Sequence, residues 1–495
     1  MAVELLGARL LSVAFGGSLS VWAGMISVTL LSLAIGYYLG GRLADRWPRP
    51  ALLYAMLLTA ALLVALCPFA RPVLKPCYYA FGLQWGAVTS SAAIFFLPLL
   101  LLGMTGPFII RLLSEGGRGV GTMAGCVYAV STLGSVAGTL LSGLWLIPAW
   151  GTTPSFQAAG IAMAGVAGVG LVLGAGRRGA AALPVLAALA LLPAPRNLEG
   201  LAYRAPDGDA VQVVAERDSA YGHMVVLHKG KYRLLVVNGI VQTGVPDNLA
   251  RLEKGQLLLT QYYQELIPYL VDDPAKARVL VIGLAGGMTA SLLQRYGMDP
   301  DCVDIDAGVI DLARRHFGFT GRARAADGRQ FLETCDQRYD FCVMDTYSGD
   351  VFPFQLATKE AFESVRRVLN PNGTLVMNYI GAPGGPAFAA LVRTVREVFP
   401  ETLAIRGENS GDVQTITLFA SARRIEFNNG WLDHLGGFSG VDPVSQAISR
   451  LTVAPQLAGA PVLTDERNPI DLLRGDEARR WRARTLENIG AQAIF

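Results

Sequence analysis

The chain is 495 residues long, more than one ordinary hydrophobic core organises, so two or three domains are expected. Apolar residues make up 52% and charged residues 16%, with a mean hydropathy of +0.39, which excludes a wholly soluble protein, since those carry about 25% charge. Only Glu4, Asp45, Glu115 and Glu199 of the 39 carboxylates precede residue 200, against 11 of the 42 Lys and Arg, so the net charge of +3 averages an apolar, basic-flanked half and a mildly acidic one and speaks against a nucleic-acid partner.

Residues 2–16 form an apolar run carrying Glu4 and Arg9 that starts abruptly, as a shortened first helix would. Residues 20–41, 51–70, 80–113, 119–147 and 154–174 each supply about 20 or more mostly apolar positions, enough to cross a hydrocarbon core of about 30 Å. Residues 179–194 are apolar but short and contain Pro184. Residues 1–196 are therefore expected to form a multi-pass transmembrane helical domain of the inner (cell) membrane. Short cytoplasmic loops retain Lys and Arg. Arg42, Arg46 and Arg49, then Arg111 and Arg118, then Arg177 and Arg178 follow alternate spans, which puts these clusters in the cytoplasm and leaves Arg71 and Lys75 as exceptions on the far side.

Gly36 and Gly40, Gly134 and Gly138, and the small-residue run from Gly160 to Gly170 recur at helical spacing. Such spacing lets helix backbones approach closely, so packing within the bundle is expected, with a homodimer seam as the alternative. Glu4, Arg9 and Gln84 are the polar candidates within the membrane, Glu4 and Arg9 satisfying each other or lying at the interface. Cys67 and Cys77 read as unpaired thiols, and Cys302, Cys335 and Cys342 lack metal-ligand spacing, so no metal site is expected.

From Ala210 the runs AVQVVAE, HMVVLH and YRLLVVNG, separated by polar turns, predict a small antiparallel β domain over residues 197–256. Beyond it RVLVIG, CVDID, FCVMD and GTLVMN alternate with helical stretches such as VIDLARRHFG and KEAFESVRRVL. That alternation predicts βα units on a parallel sheet: a Rossmann-like nucleoside-binding catalytic domain over residues 257–425, with a C-terminal extension, 426–495, packing on it. The expected fold class is a membrane α-helical bundle plus an α/β unit preceded by a small β domain.

The first strand of that sheet, 278–282, runs into Gly283-Leu284-Ala285-Gly286-Gly287 and then a helix. Glycines suit a tight strand-to-helix turn where a ligand must approach the backbone. The spacing lacks the full GxGxxG, which argues against a pyrophosphate cofactor. The next strand ends in Val303-Asp304-Ile305-Asp306. A carboxylate at this tip is placed to accept hydrogen bonds from two ribose hydroxyls, so Asp304 is the ribose candidate and a strand-end or helix-capping acid is the alternative. Asp327-Gly328 follows a further short strand, where an acid accepts the adenine amino hydrogens or merely makes a turn.

Taken together these positions suggest adenosine without phosphates, hence S-adenosylmethionine or its decarboxylated form as co-substrate and no prosthetic group. The fourth strand ends in Asp345-Thr346-Tyr347-Ser348-Gly349-Asp350. Ligands of open α/β sheets lie beyond the carboxyl ends of the strands, so this loop faces the reacting end of the nucleoside, where a carboxylate holds a sulfonium or an ammonium. Helix capping is the alternative for Asp345.

These residues resemble the spermidine synthase family of aminopropyltransferases, specifically the branch fused to an N-terminal multi-helix membrane region, and the resemblance covers nearly the whole chain. Beyond the positions above it is carried by Tyr221-Gly222, LLVVNGIVQ at 234–242, Tyr263-Gln264-Glu265, LTDERNP at 463–469, GYYLGGRLADR at 36–46 and LLGMTGPF at 101–108. It implies that Gln242, Gln264, Gly283, Gly286, Gly287, Ile305 and Gly328 border the nucleoside, with Asp304 on the ribose and Asp327 on the adenine. Tyr263, Tyr347 and Asp345 would border the aminopropyl group and the acceptor. The implied partners are a nucleoside donor, an amine acceptor and the lipid bilayer; a homodimer stays the alternative reading of the small-residue spacing.

The implied reaction is in-line displacement, an amine attacking decarboxylated S-adenosylmethionine with release of 5'-methylthioadenosine. Three positions depart from the family. The second acid, three residues after the strand-end Asp and usually assigned as base, is Ser348; the Asp of the glycine loop that holds the donor's amino group is Gly286; the His of YHE is Gln264. Glu265 or Asp350 could substitute, at different spacing. These losses favour an S-adenosylmethionine lyase or methyltransferase on the same nucleoside site as the alternative, and the membrane region allows a non-enzymatic nucleoside sensor. Because the donor is a cytosolic metabolite, the catalytic domain is expected on the cytoplasmic side, which requires residues 179–194 not to cross fully.

Overall fold

The computed structural model describes residues 1–16, 19–114, 119–175, 198–246, 263–347, 349, 352–407, 411–427, 452–475 and 477–490. The chain divides into two compact units, the first comprising residues 1–199 with the turn 216–223, the second residues 200–215 and 224–490.

Five helices of the first unit are long and apolar enough to cross a membrane: Val21–Arg46, Pro50–Gly82, Trp85–Ser114, Val120–Trp150 and Thr152–Leu173. They belong to α2 (Leu19–Arg46), α3 (Pro50–Leu66), α4 (Leu74–Ser114), α5 (Val120–Leu141) and α6 (Thr152–Ala175), preceded by α1 (Ala2–Phe15). The first apolar run is thus helical, and from Leu6 to Phe15 every residue except Arg9 is buried, packed against α2, α4, α5 and α6. Residues 179–194 lie outside the described residues.

Close helix approach follows the small residues only in part. A Cβ on Gly40 would stand 2.6 Å from Met104 Cα, one on Gly36 would collide with the Leu100 carbonyl, and one on Gly160 would stand 2.7 Å from Ala65 Cβ. Backbone contact between α2 and α4 therefore depends on glycine. Gly134 departs from the expectation, since no described atom lies within 4 Å of where its Cβ would be. The reason is that α5 has no buried residue; it runs at the edge of the bundle, with Val130 and Leu133 turned outward.

β1 (Ala202–Arg204), β2 (Ala210–Asp218), β3 (His223–Lys229), β4 (Tyr232–Val237) and β5 (Ile240–Pro246) form a sheet in chain order, in the second unit apart from residues 216–223. A second sheet contains β6 (Val279–Ile282), β7 (Asp301–Asp304), β8 (Arg322–Ala325), β9 (Tyr339–Met344), β10 (Leu369–Gly381), β11 (Glu401–Arg406) and β12 (Gln414–Ser421), in the order β11-β12-β10-β9-β6-β7-β8. The five strands from β10 to β8 are parallel, whereas β12 and β11 add antiparallel. The helices are α7 (Met288–Arg295), α8 (Ala307–His316), α9 (Gly328–Thr334), α10 (Lys359–Val368) and α11 (Pro386–Arg396), followed by α12 (Ile470–Arg474) and α13 (Glu477–Ile489).

Both faces of the central strands β6 and β9 are covered, which is why 279–282 and 341–344 read as unbroken apolar runs, whereas the edge strand β8 alternates Arg and Ala and is mostly exposed. Leu280, Ile282, Val303 and Met344 enter the core on one face, and Val279, Val281, Cys302 and Val343 the core on the other. Helix starts are set by side chains: Asp306 accepts the Gly308 N–H at 2.8 Å for α8, and Thr358 accepts the Ala361 N–H at 3.2 Å for α10. The run GTLVMN continues past Asn378 to Gly381, because β12 pairs with β10 along that length. Strand order reverses at β6, whose neighbours are β7 and β9. A crevice beyond the carboxyl end of β6 is the place where such sheets bind ligands.

Candidate functional site

The loops after β6, β7 and β9 meet beyond that end of the sheet. Gly283, at φ +89, leaves β6, and a Cβ on it would collide with the Asp345 carbonyl of the loop after β9. Its N–H donates to the Val303 carbonyl at 2.8 Å, and the Asp345 N–H donates to the Ile282 carbonyl at 2.9 Å. The glycine is therefore needed where two backbones touch. Ala285 takes φ +46, uncommon for a residue with a Cβ, so the loop holds backbone strain at the crevice. Gly287, at φ +75, starts α7 against Phe319.

The Asp304 carboxylate is tied to this loop. Its Oδ2 accepts the Leu284 N–H and its Oδ1 the Asp306 N–H, both at 2.8 Å. Burial pushes its pKa up to about 6, against the lowering effect of those N–H groups. A carboxylate offers about four lone-pair sites, so capacity to accept further donors is part of its chemistry. Capping of α8 falls to Asp306 rather than Asp304. Ile305, at the same tip, is a large apolar side chain left 39% exposed. Asp327 caps α9, with Oδ1 accepting the Gln330 N–H at 2.9 Å. Gly328 follows because a Cβ there would stand 2.6 Å from Ile282 Cγ2.

Asp345 leaves β9 on the other side of β6. The register sets Ile282 opposite both Val303 and Met344, so Asp304 and Asp345 emerge at one level, flanking Gly283. They stand two strand spacings apart, about 10 Å. Asp345 caps none of the described helices; its Oδ1 accepts from Asn378 Nδ2 at 2.9 Å. Asn378, on β10, is 3% exposed, and its Oδ1 has no partner among the described residues, nor has Thr346 Oγ1. A carboxylate only accepts, so it is the amide NH2 of Asn378 that faces Asp345 and the amide oxygen that faces away. Buried polar atoms in native folds are nearly always paired, so these two atoms, without partners among the described residues, make this corner a candidate for ligand contacts. The rule that selects Asp345, a polar residue closing an apolar strand, selects Asn378 at the end of GTLVMN as well.

The remaining candidates divide. Gln242 lies beside the loop after Asp345, its Nε2 donating to the Gly349 carbonyl at 3.0 Å. The Tyr347 hydroxyl accepts the Ile380 N–H at 2.7 Å, its ring meets Phe352 edge-on at 5.2 Å, and burial pushes its pKa up to about 12. Held in this way it is a neutral, fixed side chain in the loop after β9. Gly286 donates its N–H to Thr243 Oγ1 at 3.1 Å, and a Cβ at 286 would stand 2.8 Å from the Thr243 methyl. An aspartate is thus not simply missing at 286, because Thr243 occupies its space. Tyr263, Gln264 and Glu265 open the 3-10 helix Tyr263–Leu270; their side chains, with Ser348 and Asp350, lie outside the described residues. Among the described residues no group of three or more His, Cys, Asp or Glu could hold a metal ion.

Residues 260–381, which carry the glycine loop and Asp304, Asp327, Asp345 and Asn378, match the Spermine/spermidine synthase domain. The chain is 32% identical over 192 residues to the probable polyamine aminopropyl transferase of Bifidobacterium longum, covering 37% of this chain and 42% of that one. It is 28% identical over 188 residues to the polyamine aminopropyltransferase of Vibrio vulnificus, covering 34% of this chain and 58% of that one. The chain therefore spans about half the length of these curated relatives. Among solved structures, spermidine synthase from Thermotoga maritima aligns over 52% of this chain and 94% of its own, at 15% identity and a TM-score of 0.39. The C-terminal part of the chain resembles the spermidine synthase and aminopropyltransferase superfamily, and apolar helices of membrane-spanning length precede it.

Proposed function

We propose that the protein is a membrane-bound aminopropyltransferase-like enzyme that moves an aminopropyl group from decarboxylated S-adenosylmethionine to an amine. The observation that carries this reading is the pair of strand-end carboxylates, Asp304 and Asp345, emerging level with each other on either side of Gly283. In this reading Asp304 accepts the two ribose hydroxyls, Asp327 takes the adenine amino group, and exposed Ile305 lies along the base. The sulfonium and the incoming amine then lie before Asp345 and Asn378. The amine lone pair attacks the carbon next to sulfur, the C–N bond forms, and the C–S electron pair passes to sulfur. This neutralises the sulfonium and leaves 5'-methylthioadenosine. The product nitrogen gives up a proton, for which Asp345 is the nearest acceptor in this arrangement. The fixed separation of the two carboxylates supplies the alignment that such a displacement needs.

A second reading is favoured by one observation: Thr243 fills the space that a carboxylate at 286 would use to bind the donor's amino group. A site of this kind would also suit cleavage of S-adenosylmethionine by its own carboxylate, or transfer of its methyl group. One assay separates the readings. Purified protein is incubated with either form of the donor, with and without putrescine, and the products are identified by mass spectrometry. Amine-dependent methylthioadenosine from the decarboxylated donor is the expected result. Methylthioadenosine from the intact donor without amine means lyase activity, S-adenosylhomocysteine means methyl transfer, and binding without turnover means a sensor.

A further inference from the structure

The two C-terminal helices carry three charged side chains that are almost fully buried: Arg474 at 5% exposure, Glu477 at 4% and Arg482 at 0%. Each of them reaches a segment that borders the reacting end. The Arg474 guanidinium lies 5.7 Å from the centre of the Tyr347 ring, within cation–π range. Glu477 Oε2 accepts from the Tyr379 hydroxyl at 3.3 Å. It also fills the turn after β10, where a Cβ on Gly381 would stand 2.6 Å from that same oxygen. Arg482 donates to the Asn238 carbonyl at 2.9 Å, and Asn238 in turn lies against Gly349, 3.3 Å from where its Cβ would be.

Tyr347 follows Asp345 by two residues and Tyr379 is next to Asn378. The Tyr347 ring is held at both ends, by the Ile380 N–H at its hydroxyl and by Arg474 at its face. The charges of Arg474, Asp345 and Glu477 all act on that hydroxyl. Fold stability alone does not require such a tail, since buried charges can often be exchanged for apolar side chains of similar volume without loss. Orientation does account for it. A cation over one ring and a carboxylate on the other hydroxyl fix both tyrosines in direction, which an apolar contact would not do.

We propose that Arg474 and Glu477 are positioning residues of the reacting end, acting through Tyr347 and Tyr379 to hold Asp345 and Asn378 in place, so that the C-terminal helices complete the site. The proposal rests on the reading of Asp345 and Asn378 given under Proposed function.

The test uses the full-length protein in detergent, with Arg474→Ala, Arg474→Lys and Glu477→Gln. Three quantities are measured: hydrogen exchange over residues 344–349 and 378–382 against 301–306, affinity for methylthioadenosine, and kcat. Arg474→Ala is expected to speed exchange about tenfold in the first two segments and leave 301–306 unchanged. Nucleoside affinity should stay within about threefold while kcat falls about 100-fold, the effect of a misplacement of about 1 Å. Arg474→Lys, which keeps a cation, should recover part of the rate. Glu477→Gln keeps the volume and an acceptor for Tyr379, so it carries the same readouts in milder form if Arg474→Ala does not fold. Unchanged exchange in both segments overturns the proposal, and so does loss of nucleoside affinity in step with kcat. A wild-type protein without turnover removes the proposed function instead, and exchange together with affinity then decides the positioning role alone.

Discussion

At the scale of single residues, the proposed chemistry rests on carboxylates that the fold treats differently. Asp304 is proposed to bind ribose as an anion, so Asp304→Ala should weaken methylthioadenosine binding at least about 100-fold, the loss of two charge-assisted hydrogen bonds of about 1.5 kcal/mol each. Calorimetry that finds equal affinity would remove the ribose assignment. Because burial holds its pKa near about 6, affinity should be level above neutral pH and fall about tenfold per unit below pH 6, as the carboxylate becomes protonated. The stability term has the opposite sign. An acid whose folded-state pKa lies above its unfolded value binds its proton more tightly when folded, so this group's contribution falls as pH rises from about 4 to 6 and stays unfavourable above that. Asp304→Asn should therefore lose binding, and its unfolding temperature relative to wild type should rise as pH goes from about 4 to 8, because only the wild type has the buried carboxyl to ionise. Asp345→Asn should keep nucleoside affinity within about threefold and cut turnover by about 100-fold or more, since the loss falls on the transition state. Equal kcat in the variant and wild type would leave Asp345 without a role in the reaction.

At the scale of elements, the same residue type does different work according to its neighbours. Gly40 faces the α4 backbone, with a would-be Cβ 2.6 Å from Met104 Cα, whereas Gly134 on α5 faces no described atom within 4 Å. Gly40→Leu should lower the thermal midpoint in detergent through overpacking of about 1–3 kcal/mol. Gly134→Leu should leave it unchanged, and equal effects would contradict the arrangement of α5. Helix spacing in the chain marks both glycines alike, because periodicity tells which residues share a face but not what lies across it. Strands were more legible: apolar runs of four residues, 279–282 and 341–344, mark β6 and β9, and the Cys302-Val303 pair set between acids marks β7. The strand-tip rule that points to Asp304 and Asp345 follows directly from them. The full length of β10 was not legible, since its last three residues are held by pairing with β12.

At the scale of the whole molecule, a membrane-spanning helical unit and a unit resembling aminopropyltransferases share one chain. Five helices of spanning length mean that the intact protein should stay with the membrane after an alkaline carbonate wash. The donor proposed here is made in the cytoplasm, so the catalytic unit should face that side. A tag at the C-terminus should be accessible to protease in inverted vesicles and protected in intact cells. The reverse pattern would place the catalytic unit beyond the membrane and remove the supply of substrate on which the proposed reaction depends.

Composition and periodicity were enough to determine a helical membrane part, a small antiparallel sheet and a parallel sheet with candidate acids at its strand tips, because solvent preference and repeat length are local properties of a chain. Contacts between residues far apart in the chain were decided only by tertiary structure: Asn378 on Asp345, Thr243 in the space beside Gly286, and Arg474 and Glu477 behind two tyrosines. No spacing announces these, since each partner looks ordinary in its own segment. Their meaning arises when the sheet brings the strand ends together and burial turns an unremarkable polar side chain into one whose orientation is fixed.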